Sequence, residues 1–559
     1  MHPPPVPLPT VATRRRALSE PPESVDVAVI GAGIGGLSAA AHLARRGFTV
    51  AVFDSHYVAG GCATQFARGP ARARYCFDIG VHYLGDCGPG GAIPTRLAEL
   101  GIELEYNELD PDGYDVLCFP DFRFKTPADP GLYRERMLDL FPEERRGIDR
   151  WMAFLRDVDR AADILLPQDG ILTPLAALKI AFRAPRTAWH RRRTLESLMD
   201  TYTSNPRLKA LWSAQYGDYA LPPYKASAVY HGTVATHFLK GAWYPKGGGQ
   251  VIADRLAEAV EDAGGSIHLK RRVESVLIEG GRATGVRLAG RRGPPQDVRA
   301  FVVVSGADLQ RTMLDLVGPE HLPPRDVARA RGWEMPGGIF ITCLGVTADL
   351  RAAGMTSGNY WVLDDYDFDT TYADALERGV VRPGGCMITS GSLKDPGFAH
   401  APEGVKTVEV MTLVHPSADK WGVSDAEALT WGYRHNARYE ELKADIEQQM
   451  VDRLDALFPG TKDTIVFRES ATPVTHMRYT RAAVGTGYGI AGTPAQYMDR
   501  RPGPRTSIPG LYVCGGSTRG TAGILGCMVS GRDATMRILE DRAASRRVKN
   551  PSVGSTSAS

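Results

Sequence analysis

Residues 25–54 read VDVAVIGAGIGGLSAAAHLARRGFTVAVFD, and this stretch decides the fold. Val25 to Ile30 is a short apolar run with the character of a buried parallel strand. Gly31, Gly33 and Gly36 then fall at GxGxxG spacing, and Leu37 to Arg46 is a helical run stopped by Gly47. Thr49 to Phe53 is a second buried strand, and it ends at Asp54. The order strand, glycine turn, helix, strand, acid is a dinucleotide-binding unit. Its glycines permit a tight turn, close approach of backbone to pyrophosphate, and close helix–strand packing. The phosphates sit on the helix N-terminus, where free N–H groups and the dipole attract anions. A carboxylate about 20 residues further on, here Asp54, suits a ribose hydroxyl.

A second glycine run, Gly520 to Gly526 (GTAGILG), lies near the other end of the chain. It follows Gly510 to Gly516 (GLYVCGG), a strand entering a glycine turn, and precedes a helical run from Met528 to Leu539. Between the two runs stand Ser55 to Thr64 (SHYVAGGCAT), Phe77 to Gly80 (FDIG), Tyr244 to Gly249 (YPKGGG) and Val302 to Asp308 (VVVSGAD). In this order the elements resemble the phytoene desaturase, carotenoid isomerase and retinol saturase group of FAD-dependent oxidoreductases, from about Val25 to Leu539. Gln215 to Pro223 (QYGDYALPP), His231, Ser392 to Pro396 (SLKDP) and Thr472 to Gly489 look most like the retinol saturase branch.

The resemblance implies an α/β fold: an FAD-binding Rossmann-like domain of the glutathione reductase type, assembled from discontinuous segments, with an inserted α+β substrate domain. The FAD-binding domain takes residues 25–110, 243–308 and 465–545, and the substrate domain residues 111–242 and 309–464. Residues 1–24 and 546–559 read as disordered tails.

By the same resemblance, Gly31, Gly33, Ile34, Gly35 and Gly36 hold the pyrophosphate, and Asp54 and Ser55 the ribose. Gly60, Gly61, Cys62 and Gly306 also belong to the cofactor site, and Val273 offers backbone to adenine. Gly515 and Gly516 lead to the ribityl chain, while Gly523, Ile524 and Leu525 pass beside the isoalloxazine. A helix starting near Gly526 points its dipole at the N1–C2=O edge, which favours reduced flavin. The FAD is expected to be non-covalent, because neither His nor Cys stands at a recognised tether position. No second strand–GxGxxG–helix unit is visible, so NAD(P)H enters as a transient electron donor, or electrons come from another protein. The chain departs from the group at Cys62, where many relatives place Arg or Ser, and at Thr518-Arg519-Gly520, where desaturases have His-Pro-Gly.

Two-electron reduction of a conjugated polyene leaves a carbanion or enolate that needs an acid within hydrogen-bond reach. Candidates are His82, Tyr83, Tyr216, His231 and Tyr244, with Asp218, His476 and Tyr488 as further ones. Arg519 is placed to stabilise an enolate or anionic flavin.

Composition agrees with an enzyme of this kind. A chain of 559 residues, 43% hydrophobic, buries a large core in two domains. A net charge of +2, from 66 basic and 64 acidic residues, argues against a nucleic-acid partner. The eight cysteines show no CxxC pattern, so neither a metal site nor a disulfide framework is expected. No apolar run reaches the roughly 18 residues that span a bilayer, and residues 1–24 are proline-rich without a signal-like apolar core. A cytoplasmic protein is expected. Ile171 to Thr194 is basic and amphipathic; a solvated lid over a substrate tunnel is the favoured reading, and peripheral membrane contact the other.

The function expected is an FAD-dependent oxidoreductase that saturates, desaturates or isomerises C=C bonds of a long apolar conjugated polyene, carotenoid- or retinoid-like. The alternative is a reductive polyene cyclase of polyketide biosynthesis, of the polycyclic tetramate macrolactam type. Behind these stand an amine oxidase, whose aromatic cage is not located in the sequence, and a prenyl-lipid binder resembling the Rab GDP-dissociation inhibitors, which lack a working flavin site. Substrate, redox direction and oligomeric state stay open.

Overall fold

The structure, a computed structural model, describes residue 16 and residues 19–70, 73–290, 293–377 and 384–549. Three local elements form as their residues dictate: β1 (Ser24–Ile30), α1 (Ile34–Ala44) and β2 (Val50–Phe53). β1 and β2 are parallel, with Val27 opposite Val50 and Ile30 opposite Phe53. The rest of this seven-stranded sheet comes from far along the chain. Ser266–His268 adds in parallel to β2, and Gln296–Ser305 in parallel to β1. The strand Gln296–Ser305 divides its free edge. Its first half pairs antiparallel with Arg282–Leu288, and its end pairs in parallel with Leu511–Val513. Val273–Glu279 completes the meander beside Arg282–Leu288.

α1 is apolar all round because it is covered all round: each of its eleven residues is buried. The helix Gln250–Asp262 and the terminal helix Ile524–Lys549 pack on it. Small residues permit this, since a Cβ on Gly531 would lie 2.5 Å from the carbonyl oxygen of Gly35.

The second sheet also has seven strands: Ile465–Ala471, Gly338–Val346, Lys406–Val414, Gly385–Thr389, Asn359–Leu363, Asp115–Cys118 and Arg123–Thr126, in spatial order. All neighbours are antiparallel except Asn359–Leu363 and Asp115–Cys118. Helices of the first insertion, chiefly Arg145–Leu165 and Ala228–Phe238, build a separate layer around the buried Trp151, Phe154 and Trp212.

Two expected boundaries change. Residue 465 was to open the last FAD-binding segment, but Ile465–Ala471 hydrogen-bonds along Gly338–Val346, so the second sheet extends to Ala471. The tails are also shorter than expected where they are described; residues 1–15, 17–18 and 550–559 lie outside the described residues. Arg16 donates to Glu261 at 3.1 and 2.8 Å, Ser19 Oγ lies 2.9 Å from His268 Nδ1, and the Glu23 carbonyl accepts from Arg299. The terminal helix runs on to Lys549. No helix among the described residues is long and apolar enough to cross a membrane.

Candidate active site

Both glycine runs open onto one cavity of about 1470 Å³. At its nucleotide end Gly31 turns the chain with φ +94°, a left-handed value suited to glycine. A Cβ on Gly35 would fall 2.8 Å from Gly515 Cα, and one on Gly36 would fall 2.1 Å from the Gly31 carbonyl oxygen. The first glycine run and the turn at Gly515, far apart in sequence, therefore touch backbone to backbone. No side chain caps α1, which leaves the N–H groups of its first turn for pyrophosphate oxygens. Asp54 is fixed beside this turn: Oδ2 accepts from Ala32 N at 2.7 Å and Oδ1 from His56 N at 2.7 Å.

Gly31, Gly33, Ile34, Gly35, Asp54, Ser55, Gly60, Gly61, Cys62, Val273, Gly306, Gly515, Gly516, Gly523, Ile524 and Leu525 all line the cavity. Gly36 does not; it closes the turn from behind. Cys62 is half-buried, and burial pushes its thiol up to about 11, so it stays protonated. The cradle has the narrow glycine walls, open helix N-terminus and fixed carboxylate that a dinucleotide requires. These residues fit FAD.

One support was missed by sequence reasoning. The Arg501 guanidinium, 2% exposed, donates to the carbonyl oxygens of Ile490 at 2.9 Å, Gly516 at 2.6 Å and Thr518 at 2.9 Å. It ties the turn after Leu511–Val513 to the loop 490–496, and no carboxylate is among its hydrogen-bond partners in the described residues. In the sequence, Arg500-Arg501 looks like ordinary surface charge.

Of the proposed proton-transfer residues, His82, Tyr83, Tyr216 and Arg519 line the cavity, as do Asp218, His476 and Tyr488. Tyr83 Oη donates to Asp218 Oδ2 at 2.7 Å, and Asp218 Oδ1 has no hydrogen-bond partner among the described residues. Burial, then the nearby Asp115 charge, hold the Asp218 carboxyl well above the usual carboxylate range. Asp115 is itself fully buried and accepts from Gln215 Nε2 at 2.9 Å and Asn359 Nδ2 at 3.0 Å. Tyr216 stacks on Phe368 with ring centroids 4.9 Å apart. Arg519 lies over Gly503, where a Cβ would come within 3.2 Å of its Cζ. Burial lowers His476 to about 4, and Tyr488 Oη donates to the Gly217 carbonyl at 2.9 Å.

His231 and Tyr244 stand behind the wall, which corrects the expectation for both. His231 is fully buried, with Nε2 donating to the Trp212 carbonyl and Nδ1 accepting from Tyr219 Oη, each at 2.8 Å. Burial lowers it to about 4, so it is a neutral tie between helices. Tyr244, also fully buried, donates its hydroxyl to Asp78 Oδ2. Burial and then Glu409 push Asp78 up to about 6.

Lys394 does not line the cavity but supports His82 from behind its wall, a position its stretch of sequence did not reveal. It is 3% exposed and donates to the His82 carbonyl and to Asn359 Oδ1, and burial lowers its amine to about 8. Lys394→Met takes the donor from the His82 carbonyl and leaves Asn359 Oδ1 with Thr389 Oγ1 alone, so it should cost about 1–3 kcal/mol in a urea titration. A lysine depressed on folding binds its proton more weakly in the folded chain. Its contribution therefore rises with pH between about 8 and 10.5, and the variant should lose that slope.

Residues 26–335 match the family described as FAD dependent oxidoreductase, and residues 426–539 the family described as flavin containing amine oxidoreductase. All-trans-retinol 13,14-reductase of Danio rerio is 26% identical, over 89% of this chain and 83% of the relative. The enzyme of that name in Homo sapiens is 28% identical, over 94% and 88%. The chloroplastic prolycopene isomerase of Arabidopsis thaliana is 26% identical, over 95% and 85%. Among solved structures, an oxidoreductase from Methanosarcina mazei superposes with a TM-score of 0.58 at 20% identity, covering 92% of this chain and 99% of that one. Cyclohexylamine oxidase from Brevibacterium oxydans gives 0.57 at 16% identity, covering 93% and 100%. At such identities these last two share the fold. With the glycine cradle and the match over residues 26–335, the chain belongs to the FAD dependent oxidoreductase family, within its retinol saturase and carotenoid isomerase group.

Proposed function

We propose that this enzyme saturates, desaturates or isomerises C=C bonds of a long, apolar, conjugated polyene of retinoid or carotenoid type. The observation that carries the reading is the continuity of the cavity. From the glycine cradle it extends along Ile339, Ile341, Leu363, Met387, Met411 and Leu413 of the second sheet. The helical layer adds Val158, Ala161 and Leu165, with Leu172 after them, to the same cavity wall. Such walls bind an extended hydrocarbon by burial and exclude water from it. The retinol reductases and prolycopene isomerases that the chain resembles are named for substrates of this shape.

When bound, FAD supplies the two-electron exchange with the double bond. The chain supplies orientation and a proton. Asp218, with Oδ2 accepting from Tyr83, holds its proton at Oδ1 in the cavity wall. The apolar walls set which double bond lies beside that acid.

The test is anaerobic incubation of chemically reduced enzyme with all-trans-retinol, a poly-cis carotenoid and a linear polyene polyketide, followed by mass analysis. A gain of two hydrogens in an open chain identifies saturation, and an isomer of unchanged mass identifies isomerisation. Oxidised enzyme that removes two hydrogens is a desaturase, and a gain of two with ring closure identifies the cyclase. Turnover of amines in place of every polyene would refute the reading.

A further inference from the structure

The helices Pro174–Arg183 and Pro185–His190 carry an apolar surface turned away from the protein. Leu175 is 61% exposed, Leu178 55%, Phe182 79% and Trp189 75%. The same first helix already has a buried face, in which Ile180 and the following Ala184 pack with Ala161 of the helix Arg145–Leu165. The exposed stripe is therefore a second apolar face. A solvated lid would be polar there.

Charge says what covers it. Residues 171–194 hold Lys179, Arg183, Arg186, Arg191, Arg192 and Arg193 and no Asp or Glu, in a chain whose net charge is only +2. Arg186 pairs with Asp157 at 3.3 Å, while the other five have no carboxylate partner among the described residues. Lys179 and Arg183 flank the Leu175–Leu178–Phe182 stripe on its own helix. Aromatic and aliphatic side chains bordered by unpaired cations match an anionic lipid surface.

The patch is also the outer side of the cavity wall. Leu165, Leu166 and Leu172 line the cavity just before the first helix, and Thr187 lines it from the second, two residues from Trp189. We propose that this helix pair seats the enzyme on an anionic bilayer and brings the cavity wall at Leu165, Leu166 and Leu172 to the membrane surface. Lipid docking stands on the patch alone; that an apolar substrate enters by this route rests on the function proposed above.

The test uses full-length, flavin-loaded protein and vesicles of phosphatidylcholine with or without phosphatidylglycerol. Sedimentation with the anionic vesicles, weakened by salt, is expected, together with a blue shift of Trp189 emission. Replacing Arg191, Arg192 and Arg193 by Gln should weaken partition about a hundredfold. The double variant F182S/W189S should abolish it yet leave turnover of cyclodextrin-delivered substrate unchanged. Failure to bind either vesicle, binding that these variants do not alter, or self-association lost in F182S/W189S without any vesicle binding would each overturn the proposal. Vesicle binding is measured without turnover, so a failed substrate assay leaves this result standing and the reverse holds too.

Discussion

Gly35→Val should purify without flavin. The Cβ of even an alanine at this position would lie 2.8 Å from Gly515 Cα and 2.9 Å from Gly515 N, and both are backbone atoms that no side-chain rotation relieves. The added isopropyl group must push α1 away from the turn that follows Leu511–Val513. Overpacking of this kind costs about 1–3 kcal/mol, and here the cost falls on the contact between the two halves of the FAD cradle. Displacing the N-terminus of α1 also misdirects the N–H groups that would hold pyrophosphate. Together these should weaken FAD binding by about a hundredfold or more, since each 1.4 kcal/mol is roughly tenfold. The measurement is flavin absorbance per protein after gel filtration, followed by fluorescence titration of the apoprotein with FAD. Gly47→Ala is the control: φ is +82° but nothing lies within 4 Å of the added Cβ, so it should cost only local strain of about 1–2 kcal/mol. A Gly35→Val protein as yellow as its parent would show that the first glycine run and the turn at Gly515 do not build one site.

The legibility of this site follows from how local each signal is. β1, α1 and β2 are adjacent, and strands buried on both faces leave continuous apolar runs, so residues 25–54 announce themselves. The glycine motifs are local in the same way, and the residues they single out, down to Gly523 and Leu525, line the cavity. Strand partnership is less so. Ile465–Ala471 looks like any short strand, and only its ladder with Gly338–Val346 assigns it to the second sheet. Buried charge is least legible. Lys394 and Arg501 lie inside because distant carbonyl oxygens await them, whereas by composition a Lys or Arg belongs outside. Tyr83 and Tyr244 show the limit within one residue type. Tyr244 lies on Ala242–Pro245 and turns to Asp78, while Tyr83 turns to Asp218 and the cavity, and no local pattern separates them.

Asp218→Asn should abolish turnover and leave the flavin in place. Asparagine keeps the size and the acceptor for Tyr83 but has no proton to transfer, and Asp218 makes no hydrogen bond to the glycine cradle among the described residues. Loss of a positioned general acid typically costs about 10²–10⁴ in rate. The pH dependence provides a sharper check, because the influences on Asp218 have opposite signs. Burial raises its pKa most, Asp115 raises it next, and the hydrogen bond from Tyr83 lowers it. The acid is active while protonated, so the rate should fall as pH rises through the elevated value. Tyr83→Phe removes the lowering influence, and the alkaline limb should move to higher pH. Asp115→Asn removes a raising influence, and the limb should move to lower pH. Stability follows the same linkage. A carboxyl raised on folding contributes fully below its unfolded pKa and loses that contribution as pH climbs through the folded one. Asp218→Asn should therefore resist alkaline unfolding better than the parent, while its residual rate, about 10²–10⁴-fold lower, loses the alkaline limb. Parallel pH–rate and pH–stability curves for the three variants separate an acid at Asp218 from a mere packing role. If Asp218→Asn turned over at the parental rate, the proton would have to come from another group in the wall, with His82 the next to replace.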